Sequence, residues 1–261
     1  MIVIKFGGHA MTDEHGAFAQ AIAEAMATGV TPVVVHGGGP QIGDALKVAG
    51  IQSSFVGGFR VTTPETFDVV ERVLAGEVGP AVAQSLVAHG VDAVALSGRT
   101  SHTLIAQPLT HLVDGTPADL GLVGVVTTVN PQSIQKLVAE GKVPVISPIA
   151  TDVNGLLGYN VNADLAAAAI AGALDAQWLI IMTDVEGIYR NWPDKSSLIS
   201  SICADELESL KSSFAEGMAP KVQACLDAIS EGAKAVRIID GTNPSALKDA
   251  LLGVGGTLVV A

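Results

Sequence analysis

Two glycine-rich turns, each directly after a run of apolar residues, carry the first chemical signal in this sequence. Residues 5–9 are KFGGH and residues 36–40 are HGGGP. Successive glycines let the backbone approach a bulky anion, and their N–H groups can surround it. Neither turn has dinucleotide or P-loop spacing, because Ile42 replaces the third glycine and Asp44 follows Gly43 where lysine would stand. A tight turn explains either one alone, whereas two in one predicted sheet favour an anion site.

Three basic side chains stand where an anionic ligand could use them. Lys5 ends the first apolar run, Arg60 follows a glycine pair in GGFRVT (57–62), and Lys221 falls in the opening turn of a predicted helix. A cation in that turn opposes the helix dipole, so Lys221 is either simply exposed or needed for a ligand. A lysine that snorkels to water and a solvated arginine are the alternatives for Lys5 and Arg60. Arg60 is otherwise suited to bind a carboxylate through its forked guanidinium.

A polar cluster precedes the alanine-rich helix predicted after it. In GYNVNADLAAAA (158–169), Asn162 is placed to cap the helix and Asp164 in the first turn favours the dipole. These structural roles do not account for Asn160, whose amide could hydrogen-bond a ligand beside the helix start. A second polar turn, MTDVEGI (182–188), ends a buried strand and is either a simple turn or the rim of a nucleotide site.

An alternation of strands and helices must position these residues. Predicted strands fall at 2–6, 31–35, 142–149, 176–187, 235–240 and 256–261, and predicted helices at 17–27, 40–48, 63–78, 80–90, 163–174, 220–230 and 244–251. This order predicts a parallel sheet covered by helices. Residues 101–129 break into short alternating runs typical of hairpins, which often form a lid or rim. The chain is predicted to be one α/β unit, with two lobes that divide near 151–162.

Composition excludes several classes of protein. The 261 residues are 49% hydrophobic, enough for a large core, and a net charge of −12 argues against nucleic acid as a partner. The apolar stretch at 165–174 is too short to cross a bilayer, and the N-terminus lacks a secretion signal, so no membrane partner and a cytoplasmic location are expected. Cys203 and Cys225 lie far apart without a histidine at ligand spacing, which argues against a disulfide framework or a zinc site.

Taken in order, seven phrases resemble the amino acid kinase family. They are IKFGGHAM, VVVHGGGPQI, FVGGFRVTTPETFDVV, VGVVTTVNP, VPVISPIATDVNGLLGYNVNAD, LIIMTDVEGIY and GMAPKV. Because they span almost the whole chain, the resemblance is specific. It implies an α/β fold in which a central, mainly parallel sheet forms a three-layer αβα sandwich, with a β-hairpin lid on the N-terminal lobe. It also implies an acyl amino acid site on the lobe of about 1–160 and an ATP site on the lobe of about 161–261.

The resemblance further implies an activity and the residues that perform it. The reaction is the ATP-dependent phosphorylation of the γ-carboxylate of N-acetyl-L-glutamate in arginine biosynthesis, with Mg²⁺ arriving on ATP and no protein residue binding a metal. The catalytic residues implied are Lys5 and Lys221, which contact the transferring phosphoryl group from the two substrate sides, and Asp164, which orients both. The substrate-binding residues implied are Gly8, Gly38, Gly39, Arg60 and Asn160. The nucleotide-binding residues implied are Thr183, Asp184, Val185, Gly187 and Ile188.

Elementary chemistry agrees with those roles. Phosphoryl transfer requires positioning and neutralisation of negative charge, and two lysines beside two glycine turns can supply both. The accepting carboxylate is already ionised near neutral pH, so no general base is needed. The histidines that therefore need no catalytic role are His9, His36, His89, His102 and His111.

Departures from the family pattern set the remaining expectations. His9 stands where relatives carry a smaller or amide residue, and 96–108 differs from the usual acidic and glycine-containing phrase, which predicts an unusual lid. No helix precedes the first strand and the C-terminal phrase of arginine-inhibited hexamers is incomplete, so a homodimer without arginine control is expected.

Two alternative functions stay open. One is a sister kinase that acts on aminoadipate or glutamate attached to an acidic carrier protein, which the charge of −12 disfavours. The other is a non-catalytic, anion-binding regulatory protein, against which the joint presence of Lys5, Asp164 and Lys221 argues.

Overall fold

The strands and helices follow one another largely as the sequence alternation predicts. The computed structural model describes residues 1–11, 16–214 and 218–261. The strands are β1 Ile2–Phe6, β2 Pro32–His36, β3 Phe55–Val56, β4 Phe59–Arg60, β5 Ala93–Ser97, β6 Leu104–Pro108, β7 Val123–Val129, β8 Val143–Ser147, β9 Ile149–Thr151, β10 Gly158–Val161, β11 Trp178–Thr183, β12 Ser201–Cys203, β13 Ala235–Asp240 and β14 Thr257–Val260. The helices are α1 Ala17–Ala27, α2 Gly39–Val48, α3 Pro64–Glu71, α4 Gly79–Ala88, α5 Gln132–Ala139, α6 Ala163–Ala173, α7 Ala204–Leu210, α8 Ala219–Ser230 and α9 Ala246–Leu251.

A mainly parallel sheet runs through the described part of the chain. Its strand order is β12-β14-β13-β11-β1-β2-β8-β5, and each neighbouring pair is parallel except β13 with β14. β1 lies at the centre, between β2 and β11. All five of its residues are buried, as the apolar run predicts for a parallel strand covered on both faces. The prediction of a central, mainly parallel sheet is confirmed.

Helices cover both faces of this sheet. Along β1 the side chains alternate: Val3 packs in the core beneath α6 and α8, whereas Ile2 and Ile4 pack in the core beneath α1, α2, α4 and α9. The two cores together account for most buried apolar side chains, so the sheet is the middle of three layers. No helix among residues 1–11, 16–214 and 218–261 is long and apolar enough to span a membrane.

The hairpins predicted for 101–129 belong to a second, smaller sheet. β6 and β7 pair antiparallel with a bulge between Ile105 and Ala106, and β9 and β10 complete a four-stranded sheet that closes on itself. A separate hairpin, β3 with β4, turns at Gly57 and Gly58. The β3–β4 hairpin and strand β7 both contribute side chains to the cleft described below.

The helix predicted over 63–78 changes its form part of the way along. Thr63 caps α3 by accepting from the Thr66 N–H at 3.2 Å, and Pro64 stands in the first turn. From Arg72 to Val78 the helix widens to π-helical geometry, and α4 then begins at Gly79. Pro80 has no N–H to donate to the preceding turn, which accounts for the interruption. The widened segment carries Leu74 to the wall of the cleft.

Candidate active site

The carboxyl ends of the central strands meet in a cleft of about 260 Å³. In open α/β sheets this edge is the usual place for ligands. The predicted residues that line the cleft are Lys5, Gly8, Gly38, Gly39, Arg60, Asn160, Asp164, Thr183, Asp184 and Lys221. Residues from β1, β4, β10, β11 and the first turns of α2, α6 and α8 therefore converge, although they are far apart in the sequence.

One carboxylate joins the two lysines at the floor of the cleft. Lys5 Nζ lies 3.2 Å from Asp164 Oδ1, and Lys221 Nζ lies 3.1 Å from Asp164 Oδ2. Lys5 Nζ also donates to the carbonyl oxygen of Met182 at 3.2 Å. An ammonium has three N–H donors, so these two partners within the described residues leave one N–H of Lys5 for a ligand in the cleft. Lys5 is only 6% exposed and Asp164 only 3%, which makes this a buried charge cluster.

The charge states of this cluster follow from its geometry. Burial opposes ionisation of Asp164, but the positive charges of Lys5 and Lys221 outweigh it and lower the pKa of the carboxyl to about 2. The Asp164 charge in turn raises the pKa of Lys221. At neutral pH the three groups carry one net positive charge, which suits an anionic ligand.

Helix α6 holds Asp164 in place. Asn162 caps the helix, with its Oδ1 accepting from the backbone N–H groups of Asp164 at 2.8 Å and Leu165 at 3.3 Å. The cap predicted from the sequence is therefore present. The following alanines pack α6 closely against α8, and this packing places Lys221, in the first turn of α8, opposite Asp164. Gly217, which opens the GMAPKV phrase, lies outside the described residues.

The two glycine turns touch each other beside the lysine. A Cβ on Gly37 would stand 3.4 Å from the Cα of Gly7, and a Cβ on Gly7 would stand 2.7 Å from Lys5 Nζ. The bare backbone of Gly7 thus makes room for the Lys5 ammonium. Gly8 has a φ of +66°, and a Cβ there would stand 2.7 Å from Asp184 Oδ1. The side chain of His9 is not among the described parts of the chain.

The same turns begin helices that point into the cleft. Gly8 opens a short 3₁₀ turn to Met11, and Gly38 caps α2, which starts at Gly39. The first backbone N–H groups of a helix have no partner within it, and they attract negative charge. The structure therefore brings together the predicted glycines, with N–H groups suited to phosphoryl or carboxylate oxygens.

Arg60 is held at the mouth of the cleft and is not a freely solvated side chain. Its guanidinium lies 4.6 Å from the ring centroid of Phe55, donates to the Gly39 carbonyl oxygen at 3.2 Å and donates to Ser53 Oγ. Burial lowers its pKa from the ordinary arginine value. A cation fixed in this way above the α2 turn can bind a carboxylate.

The predicted nucleotide turn divides into two parts. Thr183 and Asp184 line the cleft at the end of β11. Gly187 and Ile188 instead pack against β14, where Ile188 is fully buried and its N–H donates to Thr257 Oγ1 at 2.8 Å. Val185 is half-buried between the two parts. The structure thus does not bring Val185, Gly187 or Ile188 into the cleft.

Apolar walls complete the cleft and were not evident from the sequence. Leu74, Phe59, Val123 and Pro148 line it together with the Phe55 ring. Their sequence neighbourhoods are those of ordinary core or hairpin residues. Phe59, Val123 and Pro148 do lie within phrases that carry the family resemblance, but nothing in those phrases distinguished them as wall residues. None of residues 96–108, all of them described, lines the cleft.

The fold and the site together define a class of protein: an α/β protein in which two glycine turns, two lysines and a buried carboxylate meet at the carboxyl edge of a mainly parallel sheet. The sequence profile of the Amino acid kinase family matches residues 1–240. The acetylglutamate kinase of Nocardia farcinica (strain IFM 10152) is 49% identical, and the match covers 99% of this chain and 86% of that protein.

Two further comparisons agree. The acetylglutamate kinase of Rhodococcus jostii (strain RHA1) is 47% identical, with 99% of this chain and 85% of that protein covered. The crystal structure of smu.665 from Streptococcus mutans UA159 superposes with a TM-score of 0.84 at 27% identity, covering 100% of this chain and 98% of that one. This chain belongs to the amino acid kinase family and, within it, to the acetylglutamate kinases.

Proposed function

We propose that this protein is an acetylglutamate kinase, which transfers the γ-phosphoryl group of ATP to the γ-carboxylate of N-acetyl-L-glutamate in arginine biosynthesis. The product is N-acetylglutamyl 5-phosphate. The observation that carries the proposal is the pairing of Lys5 and Lys221 on Asp164 beside two helix-starting glycine turns. Sequence similarity also supports the proposal, since the chain is 44–49% identical to curated acetylglutamate kinases over nearly its whole length.

The reaction needs charge neutralisation more than proton transfer. A γ-carboxylate oxygen attacks the γ-phosphorus of ATP while the bond from that phosphorus to the bridging oxygen of ADP breaks. The carboxylate is ionised at neutral pH, so no base has to remove a proton. Negative charge spreads over the transferring oxygens, where Lys5, Lys221 and the backbone N–H groups of Gly8 and Gly38 stabilise it. Asp164 keeps the two ammonium groups apart and directed at that charge.

The acceptor substrate is assigned to the side of the cleft formed by the N-terminal lobe, about 1–160. Arg60 binds a carboxylate of N-acetylglutamate, Gly38 and Gly39 supply N–H donors, and Asn160 binds through its amide. The apolar wall that includes Leu74 and Val123 faces the same space and suits a small acyl group. The substrate therefore lies on the α2 turn, with its γ-carboxylate towards Lys5.

ATP is assigned to the lobe of about 161–261, which supplies Lys221, Thr183 and Asp184 to the cleft. The remaining predicted residues of this turn do not line the cleft: Val185, Gly187 and Ile188. We propose that they hold the turn in shape and do not contact ATP inside the cleft. Mg²⁺ does not fit the protein side chains alone, because the described residues include no group of three His, Cys, Asp or Glu that could hold a metal ion. Both oxygens of Asp164 face lysines. Mg²⁺ is therefore proposed to enter with ATP, held by phosphate oxygens and water.

Release of ADP from ATP in the presence of N-acetyl-L-glutamate tests the proposal. We expect ADP release that depends on N-acetyl-L-glutamate and on Mg²⁺. Turnover with glutamate or a carrier-bound amino acid, but none with N-acetyl-L-glutamate, would assign the chain to the sister reaction. No turnover with any acceptor, together with retained anion binding, would make it a regulatory protein. The homodimer, the absence of arginine control and the cytoplasmic location stay predictions; sedimentation and an arginine titration of the same assay test the first two.

A further inference from the structure

A buried hydroxyl connects two of the proposed substrate-binding residues. Thr62 is completely buried and follows Arg60 by two positions. Its Oγ1 donates to the Arg60 carbonyl oxygen at 2.8 Å, and the Asn160 Nδ2 donates to the same Oγ1 at 3.0 Å. Thr62 thus touches the backbone of one substrate-binding residue and the side chain of another.

This arrangement determines which end of the Asn160 amide faces the cleft. A hydroxyl has a single proton, and the Arg60 carbonyl can only accept it. The Thr62 oxygen must therefore act as an acceptor towards Asn160, and only the NH₂ end of the amide can donate to it. The carbonyl Oδ1 of Asn160 is left for a ligand, since no residue of the described chain donates to it.

An acceptor at this place selects for a donor on the substrate. At neutral pH N-acetyl-L-glutamate carries two carboxylates, one acetyl carbonyl and one amide N–H. The N–H is the one donor in the molecule. An Asn160 locked with its Oδ1 towards the cleft would repel the carboxylates and accept from that N–H.

Backbone hydrogen bonds hold Thr62 and Asn160 side by side without help from the hydroxyl, so that the hydroxyl has only the orientation of the Asn160 amide to determine. Thr62 N donates to the Leu120 carbonyl at 2.9 Å, Leu122 N donates to the Thr62 carbonyl at 2.7 Å, and Asn160 N donates to the Leu122 carbonyl at 2.8 Å. Gly121 has a φ of +68° and passes so close that a Cβ there would stand 2.4 Å from the backbone carbonyl oxygen of Thr62. These bonds hold Thr62 and Asn160 together even when the hydroxyl is removed.

We propose that Thr62 is a positioning residue for substrate specificity: its hydroxyl locks the Asn160 amide so that the site requires an N–H on the acyl amino acid. The inference rests on the proposed function. Thr62 itself touches no substrate and acts only through Asn160.

The test compares N-acetyl-L-glutamate with 2-acetoxyglutarate, in which an ester oxygen replaces the N–H, using Thr62→Val. In the unchanged protein the ester should be a poor substrate, because two acceptor oxygens face each other. In Thr62→Val the amide can rotate, so KM for N-acetyl-L-glutamate should rise about five- to tenfold while kcat changes less, since one positioned hydrogen bond is lost. The preference for the N–H substrate should fall by a similar factor. Thr62→Ser should restore both values.

Thr66→Val is the matched control, because Thr66 is also buried and lies outside the cleft. It should leave the preference for the N–H substrate unchanged. If Thr62→Val does not fold by circular dichroism, Thr62→Ala makes the same deletion. An unchanged substrate preference in a folded variant lacking the hydroxyl overturns the inference. Lack of N-acetyl-L-glutamate turnover by the unchanged protein overturns the proposed function instead, so the two failures are distinguishable.

Discussion

Lys5 and Lys221 approach the two oxygens of a single buried carboxylate, at 3.2 and 3.1 Å, from opposite ends of the chain. Two ammonium groups so close together would repel each other strongly without the negative charge of Asp164 between them. The carboxylate therefore sets their spacing and leaves the cleft positive.

Removal of the Lys5 ammonium should lower the rate of phosphoryl transfer more than substrate binding. For Lys5→Ala we expect kcat to fall about 10²–10³-fold, the usual loss for one preorganised donor at a developing charge, with a smaller change in KM. Lys142→Ala, which removes a lysine that pairs with Glu140 at the surface, is the control and should leave kcat unchanged. Steady-state kinetics with both substrates measure the effect. An unaltered kcat in Lys5→Ala would show that Lys5 has no part in phosphoryl transfer and is an ordinary lysine at the end of a strand.

The Asp164 carboxyl should make the fold sensitive to acid. Its pKa is about 2 in the folded protein and lies near the ordinary aspartate value of 3.8 in the unfolded chain. A depressed folded pKa stabilises the protein above pH about 4, and this contribution is lost as the pH falls towards 2; its full size is about 2 kcal/mol. Urea unfolding at pH 5, 4 and 3 should therefore show a steeper loss of stability in the unchanged protein than in Asp164→Asn.

Asp164→Asn should also lower the free energy of unfolding at pH 7, by about 3–5 kcal/mol, because it leaves the buried Lys5 charge without its partner. Asp68→Asn, at an exposed position on α3, is the control and should match the unchanged protein in both respects. Equal pH slopes for Asp164→Asn and the unchanged protein would contradict the assigned charge state.

The absence of a side chain at Gly7 should matter for catalysis and not for folding. In Gly7→Ala the new Cβ would stand 2.7 Å from both Cε and Nζ of Lys5. The flexible end of the lysine can move away, so the fold should persist while the ammonium leaves its position. A displacement of about 1 Å can cost on the order of 10²-fold in rate, and we expect a fall in kcat of about 10- to 100-fold.

Gly43→Ala is the matched control, because it lies within α2 and a Cβ there meets nothing within 4 Å. It should keep full activity and raise the free energy of unfolding by about 0.5–1 kcal/mol, since alanine favours a helix over glycine. Thermal unfolding and kcat measured on both variants test the pair. Full activity in Gly7→Ala would show that Lys5 does not need its observed position.

The histidine beside the second glycine turn should be an acid-sensitive part of the core. His36 is fully buried, its Nδ1 lies 2.7 Å from the Gly37 carbonyl oxygen, and burial lowers its pKa to about 4. The unfolded chain takes up this proton near pH 6.5, so the stabilising contribution is present above that pH and is lost as the pH falls to about 4. The loss is at most about 3 kcal/mol.

His36→Leu removes this titration, so its free energy of unfolding should fall less than that of the unchanged protein between pH 7 and pH 4. His111→Gln changes an exposed histidine and should follow the unchanged protein. Urea unfolding at several pH values measures the difference. Parallel curves for His36→Leu and the unchanged protein would mean that His36 takes up its proton in the folded protein as readily as in the unfolded chain, which would contradict the lowered pKa.

Sequence patterns predicted those elements whose signals are local. The α1 range 17–27 and the β1 range 2–6 agree with the structure residue by residue. No helix was predicted at α5 or α7, which are only eight and seven residues long. The spacing of Ile134, Leu137 and Val138 in α5 is helical and was a signal that could have been used. The change to π geometry at Arg72 was likewise missed, since it depends on how Pro80 fits the following helix.

The sequence by itself determined the alternating architecture, the Asn162 cap and the glycine turns, because each rests on backbone preferences of neighbouring residues. The pairing of Lys5 and Lys221 on Asp164 was implied only by the family resemblance. Tertiary structure alone decided that Gly7 clears space for the lysine, that Leu74 reaches the cleft and that Ile188 turns away from it. Leu74 and Ile188 meet residues far apart in the chain, and the Lys5 ammonium is drawn over Gly7 by the distant Asp164 and Met182. These distances depend on how the layers pack, which no local pattern encodes.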